Sequence, residues 1–472
     1  MAAIVTDKIK RLFLKELFTD FDSGDVRYYA GIGRAEQWSE EDVATVPQNR
    51  VRDERDARLN MQSMKNITDK TFAIPRINWA SGTQYSAFDD NHIGFPDQPF
   101  YAMNSNQEVY VCLQQGKDAT GTPLNSTIQP TGNTTGTPFR TEDDYVWKFL
   151  YSIGALNASK FLSSAYMPVQ FVDSDEAASV DATAEQVEQR AVELAAIPGQ
   201  LIGVQMKTLG SGFTSTPTVR VIGDGVGAQV TPFVSGNAVV NLKIKQDSDG
   251  NLAGTNPTGW STGSYRGSGY TRAEVKIIGV GSGATARAIM GPEDGLGADP
   301  RNDLKSQAVM FNAKIDGDED GSFLLGDNTF RQVLLIRNPL VANYDSDHAY
   351  FKESTGNGLG RIELDQTQGT FLEDTFVEDV STGAKAYVDT VDSVNGNLLL
   401  ARLLVHQNEG TGFTEFDSGN QIQDTSGNSG RVLKILKGDF DPLSGELLYI
   451  DNRAAVDRSA EQIEDLKIVI QL

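Results

Sequence analysis

Near the start of the chain, hydrophobic residues recur at helical spacing. Ile9, Leu12, Phe13 and Leu17 share one face of a predicted helix, Thr6 can cap it, and Ser23-Gly24 ends it. A second helix is predicted over 183–196, with Ala184, Val187, Ala191 and Leu194 as its apolar face and Pro198-Gly199 as its stop. The polar stretch 51–65 reads as helical too. Elsewhere β-branched and aromatic residues gather in short runs separated by Gly, Pro and Asn. The clearest predicted strands are 26–32, 109–113 and 145–153. The pattern predicts a mainly β chain with a few helices.

From residue 201 onward the pattern repeats. Gly210-Ser211-Gly212-Phe213-Thr214 precedes the strand-like run 219–222 and the turn Gly223-Asp224-Gly225-Val226-Gly227. Gly267-Ser268-Gly269-Tyr270-Thr271 precedes 275–278 and Gly279-Val280-Gly281-Ser282-Gly283 in the same order. Each copy reads as a small β unit in which a glycine turn reverses the chain and the aromatic covers the resulting hairpin. A second modular stretch carries Asp379-Val380-Ser381-Thr382-Gly383, echoed by Asp424-Thr425-Ser426-Gly427, with an apolar strand over 398–405 between them. The predicted organisation is a layered β-sandwich core (1–198, 297–360 and 439–472) interrupted by two inserts. One is the Gly-rich repeat region, 199–296. The other is a small β-barrel or β-sandwich, 361–438.

Composition narrows the function classes. Gly makes up 46 of 472 residues, above average usage of about 7%, and has no Gly-X-Y period, which favours turn-rich β structure over collagen. The formal net charge is −23. So acidic a surface repels phosphate backbones and argues against a nucleic-acid partner. The one dense basic cluster, Arg50, Arg52, Arg55 and Arg58, is interleaved with acids and reads as a solvated, salt-bridged helix face. The single cysteine, Cys112, allows no internal disulfide, and no apolar run is long enough to span a bilayer, so no membrane partner is expected.

Catalytic chemistry finds little footing. Both glycine turns run into strand-like sequence, not into the helix that phosphate cradling requires. Asp316-Gly317-Asp318-Glu319-Asp320-Gly321-Ser322-Phe323, together with Asp327, has the alternating oxygen ligands of a calcium loop. Strand-like flanks replace the helices of a calcium hand, which leaves Asp316, Asp318, Asp320 and Asp327 as candidate calcium ligands only. His92, His348 and His406 are scattered, and Cys112 reads as a small core residue. No enzyme and no cofactor are expected.

Several segments, read in order, resemble the dimeric baseplate wedge protein family of contractile-tailed bacteriophages. They are Ala3-Ile4-Val5-Thr6, Ile32-Gly33-Arg34-Ala35-Glu36-Gln37-Trp38, Ile74-Pro75-Arg76-Ile77-Asn78-Trp79 and Val109-Tyr110-Val111-Cys112-Leu113. Further along come Asp144-Tyr145-Val146-Trp147-Lys148-Phe149-Leu150, Phe330-Arg331-Gln332-Val333-Leu334-Leu335-Ile336-Arg337-Asn338-Pro339-Leu340 and Gly445-Glu446-Leu447-Leu448-Tyr449-Ile450-Asp451-Asn452-Arg453. The chain closes on the apolar run Ile468-Val469-Ile470-Gln471-Leu472. Specificity lies in the collinear order, which spans about half the chain and omits the two inserts. The resemblance implies a layered β core, a homodimer, a place in the virion tail after folding in the host cytoplasm, and neighbouring wedge and peripheral fibre-attachment proteins as partners.

The physical reading assigns roles to the motif residues. Gly33 permits a tight turn before Arg34, whose five-donor head suits a buried or interfacial carboxylate. Trp38, Trp79 and Trp147 are candidates for interface anchors or for core packing. Asn338-Pro339 ends a strand. Two other readings remain: a receptor- or glycan-binding fibre module, resting on the β repeats, and a tail enzyme that degrades polysaccharide.

Overall fold

In a computed structural model of the chain, the described residues are 6–22, 24–39, 41–91, 99–132, 134–172, 179, 181–245, 265–316, 328–342, 349–393, 401–408, 414–459 and 462–472. The fold is mainly β, with antiparallel ladders and a few short helices. Two compact units divide the chain. One comprises Met1–Leu14, Thr71–Met310 and Val469–Leu472, and the other Lys15–Lys70 and Phe311–Ile468. The segments expected to form one interrupted core are therefore distributed over both.

In the second unit a five-stranded sheet runs in the order Thr355–Asn357, Met61–Asn66, Tyr28–Gly33, Asn328–Arg337, Glu446–Arg458. Tyr28–Gly33 lies in the interior and is buried at every position, as an inner strand covered on both faces must be. Tyr29, Met61, Met64, Leu334 and Ile336 form the core here with Phe351 and Phe440. The stretch predicted as helix over 51–65 splits into the helix Val51–Leu59 and the strand Met61–Asn66. Pairing of Met61–Asn66 with Tyr28–Gly33 overrides the local helical preference.

The region 361–438 forms a closed six-stranded barrel. Its strands follow one another around the barrel as Gly360–Gln368, Ala401–Asn408, Lys385–Ser393, Phe376–Asp379, Gln421–Asp424 and Ser429–Leu436. Ser429–Leu436 pairs back onto Gly360–Gln368, which removes the free edges that short strands otherwise expose. Ile362, Leu364, Val377, Val388, Leu403 and Ile422 fill the interior. The echoed Asp motifs hold two of its turns. Asp379 accepts from the amides of Ser381 (2.8 Å) and Thr382 (3.1 Å), and Asp424 from those of Ser426 (2.9 Å) and Asn428 (2.8 Å).

In the first unit, Tyr101–Met103, Glu108–Gln114, Val146–Ser152 and Phe139–Arg140 form a sheet under the helix Ala184–Leu194. That helix opens on a capping box. The Gln186 amide donates to Thr183 Oγ1 (3.3 Å), and the Thr183 amide donates to Gln186 Oε1 (2.8 Å).

Candidate functional site

The repeat region is built differently from its expected form. Strand Thr218–Gly223 of the first copy pairs with Ala273–Ile278 of the second, and Arg220 lies opposite its own counterpart, Lys276. The two copies are thus related by a local pseudo-two-fold axis through that pair. Each aromatic covers the glycine turn of the other copy, not its own hairpin. A methyl group added at Gly225 would collide with the Tyr270 ring and the Ser268 carbonyl. One added at Gly281 would collide with the Phe213 ring and the Ser211 carbonyl. Glycine is required at both places because ring and backbone lie against the turn. Phe213 and Tyr270 are consequently 2% and 5% exposed.

One copy carries an extra latch. Asp224 accepts from the backbone amides of Thr271 (3.0 Å) and Arg272 (3.2 Å) and from the Thr271 hydroxyl. These bonds hold its carboxyl down at about 2, the Thr271 hydroxyl contributing most. In the other copy the position is Val280, which is exposed.

A cavity of about 320 Å³ opens in the same unit between residues 86–117 and 202–289. Among the described residues its charged lining is Lys117, Arg266, Lys305 and Asp89. The Arg266 guanidinium is buried and donates to the carbonyls of Leu201 (3.3 Å) and Ile202; burial brings it down to about 10. Lys305 donates to the Asp89 carbonyl oxygen at 2.8 Å. The Asp89 carboxylate is engaged by Arg287 at 2.5 Å and by the Asn91 amide. Burial raises its pKa, but these bonds outweigh burial and the net shift is downward. Lys117 is shifted down by burial and then by the charge of Lys243. Gln114, Gln115, Gln205 and Asn241 add amide groups to the wall.

The motif residues fall in both units. Gly33 ends its strand, where a side chain would collide with the Asn60 carbonyl, and the left-handed turn conformation belongs to Arg34 itself (φ 61°). Close approach, not turn geometry, is what Gly33 supplies. The Arg34 guanidinium lies 4.1 Å above the Trp38 ring, and it is Arg331 that takes the carboxylate, reaching Asp42 at 2.8 Å. Trp38 is half-buried and donates from its indole to the Arg453 carbonyl at 2.9 Å. Trp147 is wholly buried beside Tyr145 and Tyr85, and Trp79 packs partly buried against the same cluster. Asn338 (φ 49°) closes its strand end by accepting from the Arg27 amide at 2.8 Å and donating to the Arg27 carbonyl at 2.9 Å. The Pro339 carbonyl accepts from the Phe351 amide.

In the basic cluster Arg50, Arg52 and Arg55 are exposed. Arg52 and Arg58 form ion pairs one helical turn away with Asp56 (3.9 Å) and Glu54 (3.1 Å), as expected of a salt-bridged face; only Arg58 departs from the solvated form. Arg58 is buried and donates to the carbonyls of Ser444 (2.6 Å) and Gly445 (3.0 Å). Cys112 is buried, and burial pushes its thiol far up, as befits a core residue. Asp318, Asp320 and Asp327 lie outside the described residues, as do His92 and His348, and Asp316 is described only as the last residue of a strand. Among the described residues, no group of three or more His, Cys, Asp or Glu is placed to hold a metal. Among them, too, no helix is long and apolar enough to cross a membrane.

Both helices turn away from the predicted burial. On Asp7–Asp22 the buried side carries Leu14, while Ile9, Leu12 and Phe13 are 44%, 54% and 60% exposed. On Ala184–Leu194 the buried residues are Gln189, Val192 and Glu193, while Val187 and Leu194 are 53% and 71% exposed. Gln189 donates to the Gln170 carbonyl at 2.7 Å, and Glu193 accepts from Arg190 at 3.1 Å. No protein-family model matches the chain, and no curated protein matches it.

Proposed function

We propose that this chain is a structural component of a phage-tail baseplate wedge. In this role it links neighbouring baseplate proteins by protein–protein contact and associates as a homodimer. The observation that carries the reading is the outward turn of the apolar rows on two helices. Apolar residues at regular spacing are usually spent on a chain's own core; when that spacing faces solvent, it marks a surface made to be covered. The collinear motifs resembling the wedge family point the same way. The large antiparallel sheets and the edge-free barrel are stiff, close-packed bodies suited to transmitting strain between neighbours.

The test is the state of association of the purified chain. A dimer at micromolar concentration is expected. The variant carrying Phe13→Ser and Leu194→Ser is expected to fold normally and to shift toward monomer. A wild-type chain that stays monomeric contradicts the dimer.

A further inference from the structure

We propose that the cavity between residues 86–117 and 202–289 binds a small, anionic, hydroxyl-bearing ligand of monosaccharide size. Three cationic side chains, Lys117, Arg266 and Lys305, face this volume. The one carboxylate among the described residues of the wall, Asp89, is already held by Arg287 and the Asn91 amide. The described lining is therefore net positive in a chain whose formal charge is −23. Like charges around a partly enclosed space repel one another, and a bound anion relieves that repulsion.

Two further features point to a ligand. The Gln114 amide nitrogen is buried behind the wall without a hydrogen-bond partner, while its amide oxygen accepts from Arg140 at 3.5 Å; turning the amide toward a ligand oxygen would remedy that costly state. The Lys117 ammonium makes no hydrogen bond or ion pair among the described residues, although Arg266 and Lys305 are both fixed on backbone carbonyls. The fixed pair sets the field, and Lys117 is left to engage the guest. Amides from Gln115, Gln205 and Asn241 suit hydroxyl groups, and Phe100, Leu242 and Ile289 offer apolar surface to a ring face. About 320 Å³ is at the small end of ligand pockets and accommodates a single charged sugar.

Isothermal titration at fixed ionic strength, using the full-length protein, tests the assignment. The probes are glucose 6-phosphate, glucuronate and inorganic phosphate, with glucose as the neutral control. Saturable binding of glucose 6-phosphate or glucuronate, tighter than about 1 mM and absent for glucose, is expected. Which of the two binds tells a phosphate from a carboxylate as the anion. Lys117→Gln should weaken binding about ten-fold, and Lys117→Arg should largely retain it. Gln114→Met, which keeps the volume and removes the orphan donor, should weaken it as well. Absence of saturable binding by both anionic sugars overturns the proposal. So does binding by inorganic phosphate alone, or binding that both Lys117→Gln and Gln114→Met leave unchanged.

Discussion

Leu14 and Phe13 are adjacent in sequence and opposite in environment: the first is 1% exposed and the second 60%. Leu14→Ala removes buried methyl groups and should cost about 2–5 kcal/mol. Phe13→Ser and Leu12→Ser should change the stability of the monomer, measured at a concentration too low for association, by no more than about 0.5 kcal/mol. Chemical denaturation of the three variants separates the two faces. The sequence could not choose between them because Ile9, Leu12, Phe13, Leu14, Leu17, Phe18 and Phe21 supply more than one apolar stripe. On the later helix the buried side is partly polar, since the Gln189 amide nitrogen donates to Glu193 (3.2 Å) and to the Gln170 carbonyl (2.7 Å), bonds that a hydrophobic count cannot register. Arg34 and Arg331 make the same point: the motif shows two arginines, but only the fold shows which one meets Asp42.

Asp224 adds a pH dependence. Its folded pKa of about 2 lies below the ordinary value near 4, so the carboxylate stabilises the fold above pH ~4. That contribution is lost as the pH falls from about 4 toward 2. Asp224→Asn should flatten the acid limb of the stability curve within that window, as measured by thermal melts at stepped pH. An unchanged acid limb would show that the latch contributes nothing.

At the scale of elements, the duplicated β unit was legible as a repeat, and its aromatic and glycine positions were legible as partners. The exchange of partners between copies was not, because it depends on the Arg220–Lys276 register, which no local spacing encodes. Gly225→Ala should destabilise the region by at least about 1–3 kcal/mol, because the clash involves backbone and ring, not a flexible side-chain tip. The matching change, Gly281→Ala, should cost a similar amount if the pseudo-symmetry is energetic as well as geometric. The barrel was open to reading as barrel or sandwich until the pairing of Ser429–Leu436 with Gly360–Gln368 closed it. Within it Asp379 is fully buried, and Asn420 and the turn amides all donate to it. Asp379→Ala leaves those donors unmet and should cost about 2–3 kcal/mol by equilibrium unfolding.

At the scale of the molecule, the mainly β class followed directly from the strand-like runs and the glycine excess. The division into two units did not, since the chain passes between them four times and each draws on distant segments. The cavity was equally invisible, because Gln114, Lys117, Arg266 and Lys305 come from separated stretches that carry no shared motif. The charge of −23 fits a protein that repels its own copies in free solution and associates through specific apolar rows, aided by screening salt. On the proposed reading the chain works by contact, first of all with itself. Multi-angle light scattering at micromolar concentration and moderate salt tests it most directly. The expected mass is twice that of the 51.2 kDa chain, falling toward that of the chain in the Phe13→Ser, Leu194→Ser variant. A wild-type mass of one chain across that range would contradict it.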